Sequence, residues 1–571
     1  MAKGARGRGN RGAEPSDLPI FIGLVALAWI HRLFFLFSNL DATWPFTIFY
    51  EGDSETFYNY ARAILNGTVY DGGIPFHPPA FPHVLSFIHT LIGAGPGVER
   101  VPYVPLKIVM ALVGSVPIGL GYLLARPYLG RAVALTASMI SLYSFGLYVL
   151  AVAPVSESLY QALLLLSLLV WTRKLRHPLA IEGSGTSGRG ENDTPSAAPE
   201  QATARPGGSS RHRPSNPVLG GSLAWGAILG CLLGLLCLTR AEGMLVALLL
   251  LLIGAGSAVF ALRRGAPAMG SLGPWIAVAV AMIVVIAPWT IRNAARLHEV
   301  NTGLAGQLAH PLPEFVPITA YGPLNFALAN NELAKGTFSR DILTSQAQSA
   351  TLDIRDPQHL ELFLHGYEIG WRFIREHPGR FAHLVLTRWG LFFDSLRLGW
   401  TQWNLPGGLD GVRRPVDLFV PDSAAGLWIN VALIVCGLAL LLRRALGKDD
   451  GGSSILAKRW LALVSLVTVC GMAATGLFFG YARLGVLLLP IWFTLAAITI
   501  AAIARAIPAH VSFSRLRIPI VLAGMVAVLF LIEAWGATGD RNYRATGTQA
   551  EGAGHLNPHD TMHLEVISQS D

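Results

Sequence analysis

Charge is scarce in this chain, and so is cysteine. Only 14% of its 571 residues are Asp, Glu, Lys or Arg, against about a quarter in a soluble globular domain. That shortfall excludes a chain solvated on all sides. The four cysteines, Cys231, Cys237, Cys436 and Cys470, all fall inside apolar runs. They read as small buried hydrophobes, with no disulfide framework and no zinc spacing. No Gly-rich phosphate loop is present. Nor is a cleavable leader evident: "MAKGARGRGNRGAEPSD" is basic, and the apolar run after it lacks a small-residue cleavage site, so that run is expected to be retained as a span.

What is abundant is apolar sequence. Hydrophobic residues make up 52% of the chain, and runs such as "LVALLLLLIGAGSAVFAL" approach the roughly 20 residues needed to cross a bilayer. The expected class is an all-α polytopic membrane protein. Candidate spans are 18–38, 102–125, 132–152, 157–172, 218–238, 243–262, 273–291, 425–442, 460–478, 484–503 and 518–535. The piece 81–95, with two histidines and a proline, is short and reads as interfacial or re-entrant. With the N-terminus inside and 81–95 not spanning, the strongly basic short loops all land on the inner face, including Arg126 and Arg131, Arg263 and Arg264, and Arg443 and Arg444. The net charge of +8 is thereby read as topology, and no nucleic-acid partner is expected. A multi-pass protein of the cell (inner) membrane, with eleven spans and its functional face extracytoplasmic, is the expected arrangement.

This orientation divides the chain. Residues 1–17 form a basic cytoplasmic leader, and 18–295 an N-terminal transmembrane module with a first outer loop at 39–101. Within that module, 177–217 is Gly/Ser/Pro-rich and is expected to be a disordered cytoplasmic linker. Segment 296–424 is extracytoplasmic, with amphipathic helices broken at Pro378. The C-terminal transmembrane helices occupy 425–536, and 537–571 reads as a flexible tail.

The polar features least explained by solubility gather on the outer face. In "YEGDSETFYNYARAILNG" three carboxylates, Glu51, Asp53 and Glu55, precede Phe57, Tyr60, Ala61, Ile64 and Leu65, which repeat at helical spacing, and Asn66-Gly67 supplies a stop. Asp53 or Ser54 can cap that helix, whose N-terminus favours an ionised carboxylate. His77 sits in the stiff "HPPAFPH", and Glu157 opens a span in "SESLY". Arg240, Arg292 and Arg483 lie on this face against the positive-inside bias. An arginine can snorkel to the interface; three together form a candidate anion site.

In their order these stretches resemble the GT-C superfamily of membrane glycosyltransferases. The likeness is to the bacterial branch related to protein O-mannosyltransferases and to the aminoarabinose and lipopolysaccharide-core sugar transferases. It rests on the first-loop acidic cluster, "A..ILNG..Y", "HPPAFPHVL", "SESLY", "TRAEGML", "APWTIRN", "NFALANNELAKGTF", "REHPGRFAHLVLTRW" and "ARLGVLLLPIW", and runs from about residue 20 to 500. The resemblance implies a helical bundle of about 11 spans with outer juxtamembrane helices and a small extracytoplasmic domain. It also implies transfer of a sugar from a polyprenyl-phosphate donor, with inversion, to an acceptor hydroxyl of a lipid, glycan or protein. On this resemblance Asp53 or Glu55 is the catalytic base and Glu157 a second acidic position, while His77, Arg240, Arg292, Arg483 and Tyr58 bind substrate. The arginine motif here reads "YAR", the tyrosine preceding the arginine. No cofactor is established by the sequence; a divalent metal bridging Asp53, Glu157 and phosphate is the one candidate, without a fixed ligand spacing to define it. The competing class is a transporter or flippase for a lipid-linked or anionic substrate. Such proteins carry repeats and mid-membrane sites, whereas here there is no repeat and the charges sit at one face.

Overall fold

A computed structural model describes residues 17–38, 53–98, 101–175, 217–347, 352–396, 423–447 and 452–506. Every regular element among them is helical: α1 (Leu18–Ser38), α2 (Asp53–Asn66), α3 (Ala80–Leu91), α4 (Tyr103–Leu129), α5 (Arg131–Leu142), α6 (Phe145–Val152), α7 (Glu157–Lys174), α8 (Pro217–Thr239), α9 (Gly243–Arg263), α10 (Ala268–Gly303), α11 (Gly322–Ala329), α12 (Asp341–Ala347), α13 (Pro357–Glu376), α14 (Pro378–Phe393), α15 (Ser423–Leu446), α16 (Gly452–Leu477), α17 (Ala482–Val486) and α18 (Leu489–Ala506), with 3-10 turns at Asp71–Gly73 and Asp394–Leu396.

Seven of these helices, α4, α8, α9, α10, α15, α16 and α18, are long and apolar enough to cross a membrane. The chain is an all-α, multi-pass membrane protein. An eighth crossing arises if α5 and α6, bent by 65°, count as one; the bend falls where Ser144 restarts the helix, its hydroxyl accepting from the Leu147 N–H. The expected spans 18–38 and 157–172 coincide with helices α1, whose apolar stretch is only Leu18–Phe34, and α7, but neither is among the seven helices long and apolar enough to cross. The expected span 518–535, the linker 177–217 and the tail lie outside the described residues. The piece at 81–95 becomes α3, whose 12 residues reach about 18 Å, well short of a bilayer core.

Between α1 and α4, α2 and α3 fold as a helical hairpin. Phe57 and Ala61 of α2 bury against Phe81, Leu85 and Ile88 of α3, the face given by the helical spacing. Gly67 ends α2 at φ +68°, a backbone conformation that a side chain would strain. Arg62 ties the hairpin down by donating to the carbonyls of Ala94 (2.9 Å), Gly95 (3.2 Å) and Val98. On the same side, α10 runs on to Gly303; its 36 residues span about 54 Å and overshoot the membrane. The boundary expected at 296 therefore falls inside a helix. The overshooting turns contribute Leu297 to a second core with Ile74, Tyr321, Leu324, Leu343 and Phe363.

Two helices, α8 and α10, touch backbone to backbone. Gly226, Gly230 and Gly234 recur every four residues on α8; a Cβ would lie 2.3 Å from the Pro274 carbonyl oxygen at Gly226 and 2.3 Å from that of Val278 at Gly230. Small residues let membrane helices approach this closely. Gly230→Val is expected to lower stability by ~1–3 kcal/mol, the usual cost of overpacking, read as a lower thermal midpoint in detergent. An unchanged midpoint would show that the contact is dispensable.

Candidate active site

Each charged group of the site sits where a helix starts or stops. Asp53 is the first residue of α2, and Glu157 opens α7 just after the Pro154 break. Arg240 and Glu242 occupy the tight turn between α8 and α9, and Arg483 rides on the five-residue α17. Alternating helix directions bring the end of α8 and the starts of α7 and α9 to one side of the bundle.

There the groups form a chain of alternating sign. The Arg483 Nη1 donates to Asp53 Oδ2 at 2.7 Å, and its Nε stands 3.7 Å from Glu157 Oε1. The same Glu157 oxygen lies 2.7 Å from Arg240 Nη1, and Arg240 Nη2 donates to Glu242 Oε1 at 2.9 Å. Arg240 also donates to the Ser156 hydroxyl at 3.3 Å. Glu157 is 1% exposed, so it depends on these cations, since an unpaired buried charge costs several kcal/mol. Burial pushes the Asp53 carboxyl upward, but Arg483, His77 and Arg240 outweigh it and hold the group at about 2. Burial opposes charge on both arginines as well, and the neighbouring carboxylates overcome it, raising each guanidinium above its ordinary value.

His77 faces this chain. Its ring packs on Phe76 (4.2 Å between centroids) and Phe57 (4.8 Å), and it interacts electrostatically with Asp53, Glu157, Arg240 and Arg483. Burial lowers its pKa to about 4, which leaves a neutral imidazole at neutral pH. Asp53, Glu157, Arg240, Arg483 and His77 thus meet in one place. Arg292 does not join them. It donates from Nη2 to Asp71 Oδ1 at 3.3 Å and stacks over Trp289 at 4.5 Å and Tyr70 at 5.2 Å. Tyr58 turns toward the start of α4, its hydroxyl accepting from the Val101 N–H at 3.4 Å and its ring 5.5 Å from His89. The side chain of Glu55 lies outside the described residues.

A small, mostly apolar pocket opens beside the network. Arg240 and Glu242 form its polar end; Leu164, Val246, Phe392 and Leu487 are among its apolar walls. This combination suits an amphiphile with an anionic head and a hydrocarbon tail. It suits a divalent cation less well. Among the described residues no three His, Cys, Asp or Glu side chains converge on one point, and both Asp53 and Glu157 already face guanidinium groups. No step is therefore assigned to a metal.

Glu242 and Asp71 were not among the residues singled out from sequence. Glu242 stands two positions after Arg240 in the only polar break between two apolar runs, a signal that was there to read. Asp71 precedes a Gly-Gly pair and takes φ +61°, but nothing local announces a partner 221 residues away.

No protein-family model matches the sequence, and no curated protein does. Among solved structures the chain is similar to the oligosaccharyltransferase of Archaeoglobus fulgidus tethered with an acceptor peptide containing the NVT sequon (TM-score 0.42, 14% identity, 94% of this chain and 58% of that one). It is also similar to that archaeal enzyme, AglB, in complex with an inhibitory peptide and a dolichol-phosphate (TM-score 0.39, 13% identity, 96% and 61%). A third is ArnT from Cupriavidus metallidurans bound to undecaprenyl phosphate (TM-score 0.31, 15% identity, 86% and 79%). The chain thus spans about 58% of the length of the first archaeal structure it matches. Overlap at this level supplies no function by itself.

The Asp71–Arg292 pair makes a pH prediction. Burial outweighs Arg292 and pushes the Asp71 carboxyl from 3.8 up to about 7. Between those values the folded protein holds a proton that the unfolded chain has lost, so stability falls as pH rises from about 4 to about 7. Thermal midpoints of Asp71→Asn are expected to vary less over this window than those of wild type. Parallel curves would show that Asp71 titrates normally.

Proposed function

We propose that this chain is a GT-C type membrane glycosyltransferase that moves a sugar from a polyprenyl-phosphate donor to an acceptor hydroxyl on the extracytoplasmic side. One observation carries the proposal: the Asp53–Arg483–Glu157–Arg240 chain ends at Arg240, which with Glu242 forms the polar end of an apolar pocket. The cavity accommodates part of the isoprenoid tail, and the guanidiniums meet the phosphate.

In the reaction, the acceptor oxygen forms a bond to the anomeric carbon while the opposite carbon–oxygen bond to phosphate breaks, inverting the centre. Asp53 takes the acceptor proton, with Glu55 the alternative base on the same helix. The departing phosphate keeps the bonding electron pair, and Arg240 and Arg483 stabilise its growing charge more than that of the bound donor. The resting ion pair bears on this role. A carboxylate held at about 2 is a weak base, and an incoming phosphate competes for the Arg483 that holds it there. As Arg483 turns toward phosphate, Asp53 becomes more basic when the donor is in place. Neutral His77 offers a ring nitrogen to phosphate or a sugar hydroxyl. Arg292, through Asp71, fastens the first outer loop to α10 and acts on the site indirectly.

The segment 296–424, the largest piece on the outer side, is the part that selects the lipid, glycan or protein acceptor. The module 18–295 supplies most of the catalytic groups, and 425–536 supplies Arg483. The N-terminus is cytoplasmic and the membrane is the cell (inner) membrane.

Purified wild type in detergent, given a radiolabelled polyprenyl-phosphate sugar and membrane extract as acceptor source, is expected to transfer label. Asp53→Asn is expected to lose ~10²-fold or more of that rate, the usual share of a general base, while retaining the wild-type melting profile. Undiminished transfer by the variant would move the base to Glu55 or Glu157. No transfer by wild type from several such donors would overturn the glycosyltransferase reading.

A further inference from the structure

The short helix that carries Arg483 ends in a backbone defect. α17 stops at Val486, and α18 begins at Leu489. In a continuous helix the Val486 carbonyl would accept from the N–H of residue 490, but residue 490 is proline and has none. The Leu487 carbonyl would accept from the Ile491 N–H, which bonds to the Leu488 carbonyl instead, at 2.9 Å. Two carbonyls inside a membrane protein are thus left without their helical donors, a costly situation away from water.

Gln161 answers both. Its Nε2 donates to the Leu487 oxygen at 2.8 Å and to the Val486 oxygen at 3.3 Å, and the side chain is 3% exposed. Gln161 lies four residues after Glu157 on α7, on the same helix face. One face of α7 therefore touches the α17 unit twice: through Glu157 to the guanidinium of Arg483, and through Gln161 to the backbone three and four residues beyond it. The opposite side of the unit is wedged against the outer segment. A Cβ at Gly485 would lie 2.1 Å from the Phe392 carbonyl oxygen, and the Tyr481 hydroxyl accepts from the Phe338 N–H at 2.9 Å.

We propose that Gln161 is a positioning residue: by donating to the two carbonyls freed at Pro490, it fixes the register of α17 against α7 and so holds the Arg483 guanidinium between Asp53 and Glu157. The catalytic part of this inference rests on the glycosyltransferase reading; the positional part does not. Leucine at 161 keeps most of the volume but leaves both carbonyls without a donor, and the freed turn shifts.

The test has two arms. In the first, Gln161→Leu is expected to lower kcat for transfer from a polyprenyl-phosphate sugar by about 10-fold or more, with donor KM changed by less than about 3-fold, because Arg483 acts chiefly on the leaving group in the transition state. In an Arg483→Ala background the same substitution is expected to have no further effect, since the two act as one unit. An equal loss in both backgrounds would overturn the positioning role. The second arm needs no activity. Arg483→Cys is placed in a chain whose four native cysteines are replaced by alanine, and its modification by a charged methanethiosulfonate reagent is timed. Adding Gln161→Leu is expected to change that rate several-fold; an unchanged rate would overturn the inference even if transfer is confirmed. A changed rate with no transfer by wild type would uphold the positioning and remove only the glycosyltransferase reading. If Gln161→Leu fails to fold, Gln161→Asn, too short to reach both carbonyls, is read by the same two arms.

Discussion

Buried charges at the ends of apolar helices must neutralise one another, and most of the architecture around residues 53–77, 153–161, 239–243 and 480–490 follows from that constraint. Glu157 is almost fully buried, and among the described residues only Arg240 and Arg483 meet it with opposite charge. Those arginines in turn need Asp53 and Glu242. Carboxylate and guanidinium groups spread over 430 positions of sequence are thus bound into one set, and removing one member would strand its neighbours in a low-dielectric region. The helix ends that carry them cannot be placed independently: the start of α2, the break before α7, the turn between α8 and α9 and the short α17 share one location.

The same pairing gives the site its chemical character. Guanidinium groups held by carboxylates are ready to exchange partners with an incoming anion, and a carboxylate so released gains basicity. An apolar cavity opening at Arg240 extends the site in the direction a lipid tail would take. A buried amide, Gln161, and a proline that withholds a hydrogen bond, Pro490, then set how firmly Arg483 is held. Charged groups on short, interrupted elements depend on such supports because the elements themselves supply few hydrogen bonds.

Much of this was legible in the sequence because it depends on local rules. The period of Phe57, Tyr60, Ala61, Ile64 and Leu65 marks the buried face of α2, Asn66-Gly67 marks its end, and Pro378 marks the break between α13 and α14. The positions of Asp53, Glu157, Arg240 and Arg483 at one face follow from counting spans and basic loops. What local rules could not supply is which charge meets which. Arg292 was expected to meet the phosphate ahead of Arg240, yet Asp71, held in a left-handed turn, captures it. Tyr58 was expected to bind substrate, but five residues beyond Asp53 it points from another face of α2, toward Val101. The end of α10 could not be read from apolarity, because "NAARLHEVNTG" continues the helix on polar residues after the membrane has been crossed.

The central claim is that the network recognises an anionic head while the cavity holds an apolar chain. The most direct measurement is a pair of binding isotherms on the purified full chain, one for a polyprenyl phosphate and one for the corresponding uncharged polyprenol, each repeated with Arg240→Gln. Binding is expected for the phosphate with wild type, weaker by about 10-fold or more for the polyprenol or for the variant, as befits a charge-assisted contact of about 1.5–3 kcal/mol. Equal affinity for phosphate and alcohol, unaffected by Arg240→Gln, would contradict the assignment of the arginines to the lipid phosphate.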